Sequence, residues 1–213
     1  MRLIRSTPRS RGQALAEFAL VFPIFVLVLF GIIVTGLYVF YQQQLTNAAR
    51  EGARYAALHS STAQCPTVSH EEPIDSHPSK PDSYYACDAD PWPLMTAHAR
   101  SYVWGIAPTD VEITACWSSY HDSGGAHDAL PVAPDGTPNT LVRCTIGGVD
   151  PHADQAGLAC PAGTTVDQGS NVPNNQVSVY ACMRWQPPMA GVLMMPNEIT
   201  MRAVITEVIQ RQQ

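Results

Sequence analysis

The chain has 213 residues, 46% of them hydrophobic and 14% charged, with a formal net charge of -6. The charge is unevenly divided: residues 1–59 hold six arginines against Glu17 and Glu51 (+4), while residues 60–213 hold six Lys/Arg against sixteen Asp/Glu (-10). The acidic part has no basic footprint for nucleic acid, which is excluded as a partner, and it is repelled by anionic lipid head groups.

Arg2, Arg5, Arg9 and Arg11 open the chain with no acid among them, and Phe18 to Phe40 follows as 23 uncharged residues. At about 1.5 Å of rise per helical residue, such a run crosses a hydrocarbon core of about 30 Å. The arginines predict a cytoplasmic N-terminus and a C-terminal domain on the far side of the membrane. A cleaved secretory signal is not expected, because the run is too long and leads into Tyr41-Gln42-Gln43-Gln44 rather than a small-residue cleavage motif. Pro23 inside the run predicts a kink. Gly31 and Gly36 would let helices approach closely in lipid. Glu17 stands at the edge of the span, where a carboxylate either serves a function with a partner or stays hydrated among the head groups.

A second helical pattern continues from the first. Leu45, Ala48, Ala49, Gly52, Ala53, Ala56 and Ala57 recur at helical spacing, with Asn47, Arg50, Glu51 and Arg54 on the other side. A face of alanine and glycine gains little from apolar burial. It gains from the close approach of another backbone. Continuous from Gln13 to Leu58, this helix would be about 70 Å long.

These residues carry a resemblance. Gly12-Gln13-Ala14-Leu15-Ala16-Glu17-Phe18, the span with Pro23, and Leu45-Thr46-Asn47-Ala48-Ala49-Arg50-Glu51-Gly52-Ala53-Arg54 look like a TadE-like protein. That family comprises minor pilins or pseudopilins of the tight-adherence (Tad/Flp) branch of type IV pili. The likeness is dense over residues 11–58, similar in style over 177–202, and absent over 60–176. One departure is Phe18, where the major Flp pilins usually carry Tyr; those pilins are also much shorter. The resemblance implies that a prepilin peptidase cuts between Gly12 and Gln13, making Glu17 the fifth mature residue. It implies that Glu17 pairs with the freed amine of a neighbouring subunit. Each charge is costly to bury alone, and pairing them offsets much of that cost and sets subunit register. The implied partners are the membrane, other pilin subunits, the peptidase and an inner-membrane assembly platform, and the implied role is pilus assembly with surface adhesion. No cofactor is expected.

Residues 60–89 read as loop, rich in proline and acid. Cys65 and Cys87 bracket this loop and are assigned as a disulfide closing it. His59, His70 and His77 lie in or beside it, at spacings that match no zinc pattern, so a solvated loop is the preferred reading. Asp90-Pro91-Trp92-Pro93 opens a helix with proline in its first turn; Met95, Ala99, Tyr102, Val103 and Ile106 fall at helical spacing, and Gly105 and Pro108 end it.

Strands are expected at 111–117, 141–146, 177–185 and 199–209. Val111, Ile113, Ala115 and Trp117, then Val177, Val179, Ala181, Met183 and Trp185, then Ile199, Met201, Ala203 and Ile205 alternate onto one inward face. All six cysteines lie beyond residue 64, which in an exported domain reads as disulfides. Cys116 and Cys182 share the non-core face and are paired if their strands are neighbours, leaving Cys144 with Cys160 across a Gly-rich loop.

His121-Asp122 and His127-Asp128 flank Ser123-Gly124-Gly125-Ala126. Ser, His and Asp are all present, but a catalytic triad is normally assembled from separate rigid elements, so catalysis is not expected. Calcium binding by scattered aspartates is a little better supported, without an EF-hand pattern. Between the last two strands lies Pro187-Pro188-Met189-Ala190-Gly191-Val192-Leu193-Met194-Met195-Pro196. It is either core folded under the domain, which is preferred, or an exposed docking tip.

The expectation is an α+β, pilin-like protein. It has a basic leader (1–12), a transmembrane and extended helix (13–59), and an acidic head (60–213) built from a small antiparallel sheet, one packed helix and disulfide-stapled loops. Its work would be structural, with no reaction of its own. The rivals are a membrane-anchored exported hydrolase and an anchored binding module that does not polymerise.

Overall fold

A computed structural model describes residues 11–59, 91–191 and 194–210, with the backbone alone at 11–14 and 91–94. Helix α1 runs over Arg11–Leu58 as 48 residues without a break, Pro23 included. Helix α2 covers Pro91–Ser101, and a short 3-10 turn covers Pro108–Asp110. Six strands follow: β1 (Glu112–His121), β2 (Thr140–Val142), β3 (Thr145–Ile146), β4 (Thr165–Val166), β5 (Gln176–Trp185) and β6 (Ile199–Val208). The expected α+β architecture, with a long apolar helix, a small antiparallel sheet and a packed helix, is what forms.

The chain divides into two compact units. One contains the chain up to Phe40 together with Gln186–Asn197; the other contains Tyr41–Trp185 and Glu198–Gln213. Helix α1 therefore passes from one unit into the other between Phe40 and Tyr41.

The second unit is a head built on a four-stranded sheet of order β2-β1-β5-β6. Every pairing in it is antiparallel. Alternation places Val111, Ile113, Ala115 and Trp117 on one face with Val177, Val179, Ala181 and Met183, and all eight are buried. Met201 and Ala203 sit opposite Met183 and Ala181 in the register and join that face. Helices cover it. On α1, Leu45, Ala48, Ala49, Ala53 and Ala56 are wholly buried, and Gly52 and Ala57 with them. β5 runs back along α1: Tyr41 meets Trp185 edge to face at 5.8 Å, while a Cβ placed on Gly52 would lie 3.2 Å from Val179 Cγ1. Helix α2 wedges alongside, with Met95 and Ala99 buried and His98 stacked on Tyr55 at 4.6 Å. It ends at Ser101, and the Tyr102 side chain is half exposed. Two clamps hold α1 to the last strand: Gln42 Nε2 donates to Arg202 O (2.6 Å), and Gln210 N donates to Ala57 O (2.9 Å).

The other face of the sheet, expected to lie outside the core, is a second core. Cys116, Tyr180 and Cys182 on β1 and β5 pack with Cys144, Ile146 and Leu158 from the segment between β2 and β5. The loop segment is fixed by Tyr180 Oη donating to Ala159 O (2.9 Å), Arg202 Nε to Leu158 O (2.7 Å) and Cys144 N to Ser118 Oγ (3.0 Å). β3 and β4 pair within this layer.

This layer corrects the disulfide assignment. The bonds are Cys116–Cys144 and Cys160–Cys182, not Cys116–Cys182 and Cys144–Cys160. Strands β1 and β5 are indeed neighbours, but Cys116 lies opposite Ser178 and Cys182 opposite Glu112. Four residues of offset at about 3.4 Å each put the two far beyond the Cα separation a disulfide tolerates, about 7 Å at most. Each strand cysteine instead holds the loop layer at its own level of the sheet. The assigned Cys65–Cys87 bond lies outside the described residues.

Candidate assembly surface

Over its first part, α1 presents almost nothing but exposed apolar side chains. Leu15, Phe18, Leu20, Ile24, Phe25 and Ile32 are each 60% exposed or more. Phe18 and Phe22 stack at 5.2 Å on one side of the helix. In water such a surface is untenable: apolar area costs roughly 25 cal/mol per Å² left wet. The helix from Leu15 has a mean hydropathy of 2.9 in its most apolar window, of which 6% is buried within the chain. Length and apolarity suit membrane anchoring.

Glu17 is exposed on this helix, next to Phe18, and Gly12 and Gln13 lie in its first turn. The two glycines of the span are open, since a Cβ on Gly31 or Gly36 would meet nothing within 4 Å. Close approach by a second helix is sterically free there. The small face higher up is different. Leu45, Ala48, Ala49, Gly52, Ala53, Ala56 and Ala57 are covered by the protein's own sheet and α2, so the backbone they were shaped to admit is an internal one. The polar side of that helix, where Asn47, Arg50 and Arg54 are exposed, is what the head leaves outward.

The described part of the Met-rich segment is not wholly core, contrary to the preferred reading. Met194 is 96% exposed and Met189 42%, and Gln186–Asn197 belongs to the unit that holds the helix up to Phe40. Met195 N donates to Ala190 O (3.0 Å), and Met189 and Met194 both take positive φ.

The Ser-His-Asp loop is engaged elsewhere. Asp122 Oδ1 accepts from Gly124 N (2.8 Å) and Ala126 N (2.9 Å), closing its own turn. His121 Nε2 contacts Gln168 O at 3.0 Å. Asp128 ties its loop to the segment before β5: Oδ1 accepts from Ser170 N (2.9 Å) and Asn175 Nδ2 (2.6 Å), and Oδ2 from Ser170 Oγ (2.9 Å). Burial pushes the Asp128 carboxyl up, but the donors of Ser170, Asn175 and His127 together outweigh that and hold it below its ordinary value. Sequence reasoning missed this hub. Its only signal is an aspartate that takes a positive φ of 61°, which the letters do not disclose. His59 stacks on Tyr55 at 4.0 Å, while His70 and His77 lie outside the described residues.

Residues 12–54 match the family described as TadE-like protein. Over that segment, the chain is similar to the TadE-like family. The TadE-like segment thus holds both kinds of surface, the open apolar span and the small face closed by the head. It stops short of α2 and the sheet. No curated protein and no solved structure matches the chain.

Proposed function

We propose that this protein is a pilin-like structural subunit of a Tad/Flp-type system, anchored by α1 with its basic N-terminus in the cytoplasm and its head outside. The carrying observation is the exposed apolar run on the TadE-like helix, which leaves a whole span for lipid and for neighbouring helices. A prepilin peptidase removes residues 1–12, and the Gln13 amine of one subunit meets the Glu17 carboxylate of another. In lipid, that pair fixes the axial register of the helices, because either charge alone would be strongly penalised. The partners are other pilin subunits and an inner-membrane platform. The head decorates or caps the assembly and contributes to attachment. The work is done by packing.

The test is coexpression with a prepilin peptidase and the remaining pilus proteins, read by intact mass and by recovery in sheared filaments. The expected result is loss of residues 1–12, incorporation of the natural chain and exclusion of Glu17→Ala. An uncut chain whose behaviour is indifferent to Glu17→Ala would instead describe an anchored module or an exported enzyme. For a hydrolase, activity would survive removal of residues 1–59 and disappear with His121→Ala or Ser123→Ala.

A further inference from the structure

The turn between β5 and β6 has no place in the assembly described so far. From Gln186 to Asn197 it carries no charge, and charges resume on either side at Arg184 and Glu198. It groups with the apolar part of α1 rather than with the head whose strands it joins. Among residues Leu15 to Phe40, Val34 is buried, at 2% exposure, while its neighbours Ile32 and Ile33 are 67% and 47% exposed. A helix does not bury one of its own side chains to that degree, and the other described segment of the same unit is this turn. The turn has its own buried side, Pro187 and Ala190, and its own open side, Met189 and Met194.

Val34 lies six residues before Phe40, about 9 Å along the axis inside the end of the apolar run. That is the depth, roughly 5–10 Å into the boundary of head groups and acyl chains, at which interfacial apolar segments settle. Beside Val34, a methionine standing 96% exposed would meet acyl chains, where its apolar side chain is at home.

We propose that the β5–β6 turn is a second membrane contact, seated on the upper part of α1, with Met189 and Met194 inserted into the outer boundary of the leaflet. This rests on the reading of α1 as a spanning helix. The turn gives the anchor a broadened collar, and the occupant of its open side is phospholipid.

Photo-crosslinking tests this on the full chain in vesicles of phosphatidylcholine and phosphatidylglycerol. p-Benzoylphenylalanine is placed singly at Met194, at Ile32 in the span, and at Leu130, an exposed apolar side chain of the head (56%). All three are exposed, so the packing is undisturbed. The expected result is a phospholipid adduct by mass at positions 194 and 32 and none at 130. A lipid adduct at 32 with none at 194 overturns the collar and leaves the span standing. A protein dimer adduct in place of lipid at 194 assigns that side to a second copy and also overturns it. Absence of lipid adduct at both 32 and 194 overturns the spanning helix, and the collar with it.

Discussion

Three glycines on α1 separate what the helix does within one chain from what it does between chains. A Cβ on Gly52 would lie 3.2 Å from Val179 Cγ1 and 3.3 Å from Ala99 Cβ, whereas one on Gly31 or Gly36 meets nothing within 4 Å. Replacing a helical glycine gains about 0.8–1 kcal/mol of helix propensity wherever it sits. Gly52→Leu adds three more carbons beyond that tight Cβ, against a Val179 and an Ala99 that are both fully buried. Overpacking costs about 1–3 kcal/mol, and here the upper end applies. The net is a loss of about 2 kcal/mol, or a fall in melting temperature of about 4–8 °C for a chain of this size. In Gly52→Ala the two effects nearly cancel, within about 1 kcal/mol. Gly36→Leu keeps the propensity gain alone and does not lower the melt. Near-UV circular dichroism of the three full-length variants in one detergent measures all of this. A Gly52→Leu protein that melts at or above the natural one would refute the closed seam between α1 and β5.

Other outcomes follow from the same geometry. Gly36→Leu, harmless to the single chain, reduces recovery in sheared filaments, because the added side chain occupies the room a neighbouring helix would use. Replacing Cys116 and Cys144 together by alanine opens a 28-residue loop; loop-closure entropy sets the loss of stability at about 3.6 kcal/mol. Non-reducing peptide mapping of that variant still finds Cys160 joined to Cys182. Asp128→Asn loosens the loop before β5 and costs about 1–3 kcal/mol in denaturant unfolding. The natural Asp128 carboxyl is held below its ordinary value of 3.8 in the folded protein. Its contribution is therefore complete above that value and is lost as pH falls through the lower folded one. The difference in stability between Asp128→Asn and the natural chain should shrink only in strong acid.

The long apolar helix was legible because a 23-residue uncharged run is long enough to cross a hydrocarbon core. The helix-facing side of the sheet was legible as well, since Val177, Val179, Ala181 and Met183 alternate without interruption. The second core was not. Its strand residues, Cys116, Ser118, Ser178, Tyr180 and Cys182, read as the mixed outer face of an ordinary sheet. What buries them is the irregular stretch around Ile146 and Leu158, which has no period to detect. The disulfide pairing turned on register: two cysteines on one face of adjacent strands can still be four rungs apart. The Met-rich turn failed for another reason. The same apolar letters suit a protein interior and an open turn, and only the exposure of Met189 and Met194 tells them apart. The small face of α1 was recognised as a seam for a backbone; the backbone is β5 of the same chain.

The clamp between Gln210 and Ala57 has a bearing on biosynthesis. The alanine ridge of α1 is translated early, and the strands β5 and β6 are made much later, with β6 ending at Val208. At about 5–20 residues per second, roughly 8–30 s pass between the two. Contacts so distant along the chain also close slowly. For that interval the nascent molecule carries an incompletely covered groove-fitting ridge, and a ribosome stalled or a message truncated before β5 would release a chain whose ridge stays open to whatever helix it meets.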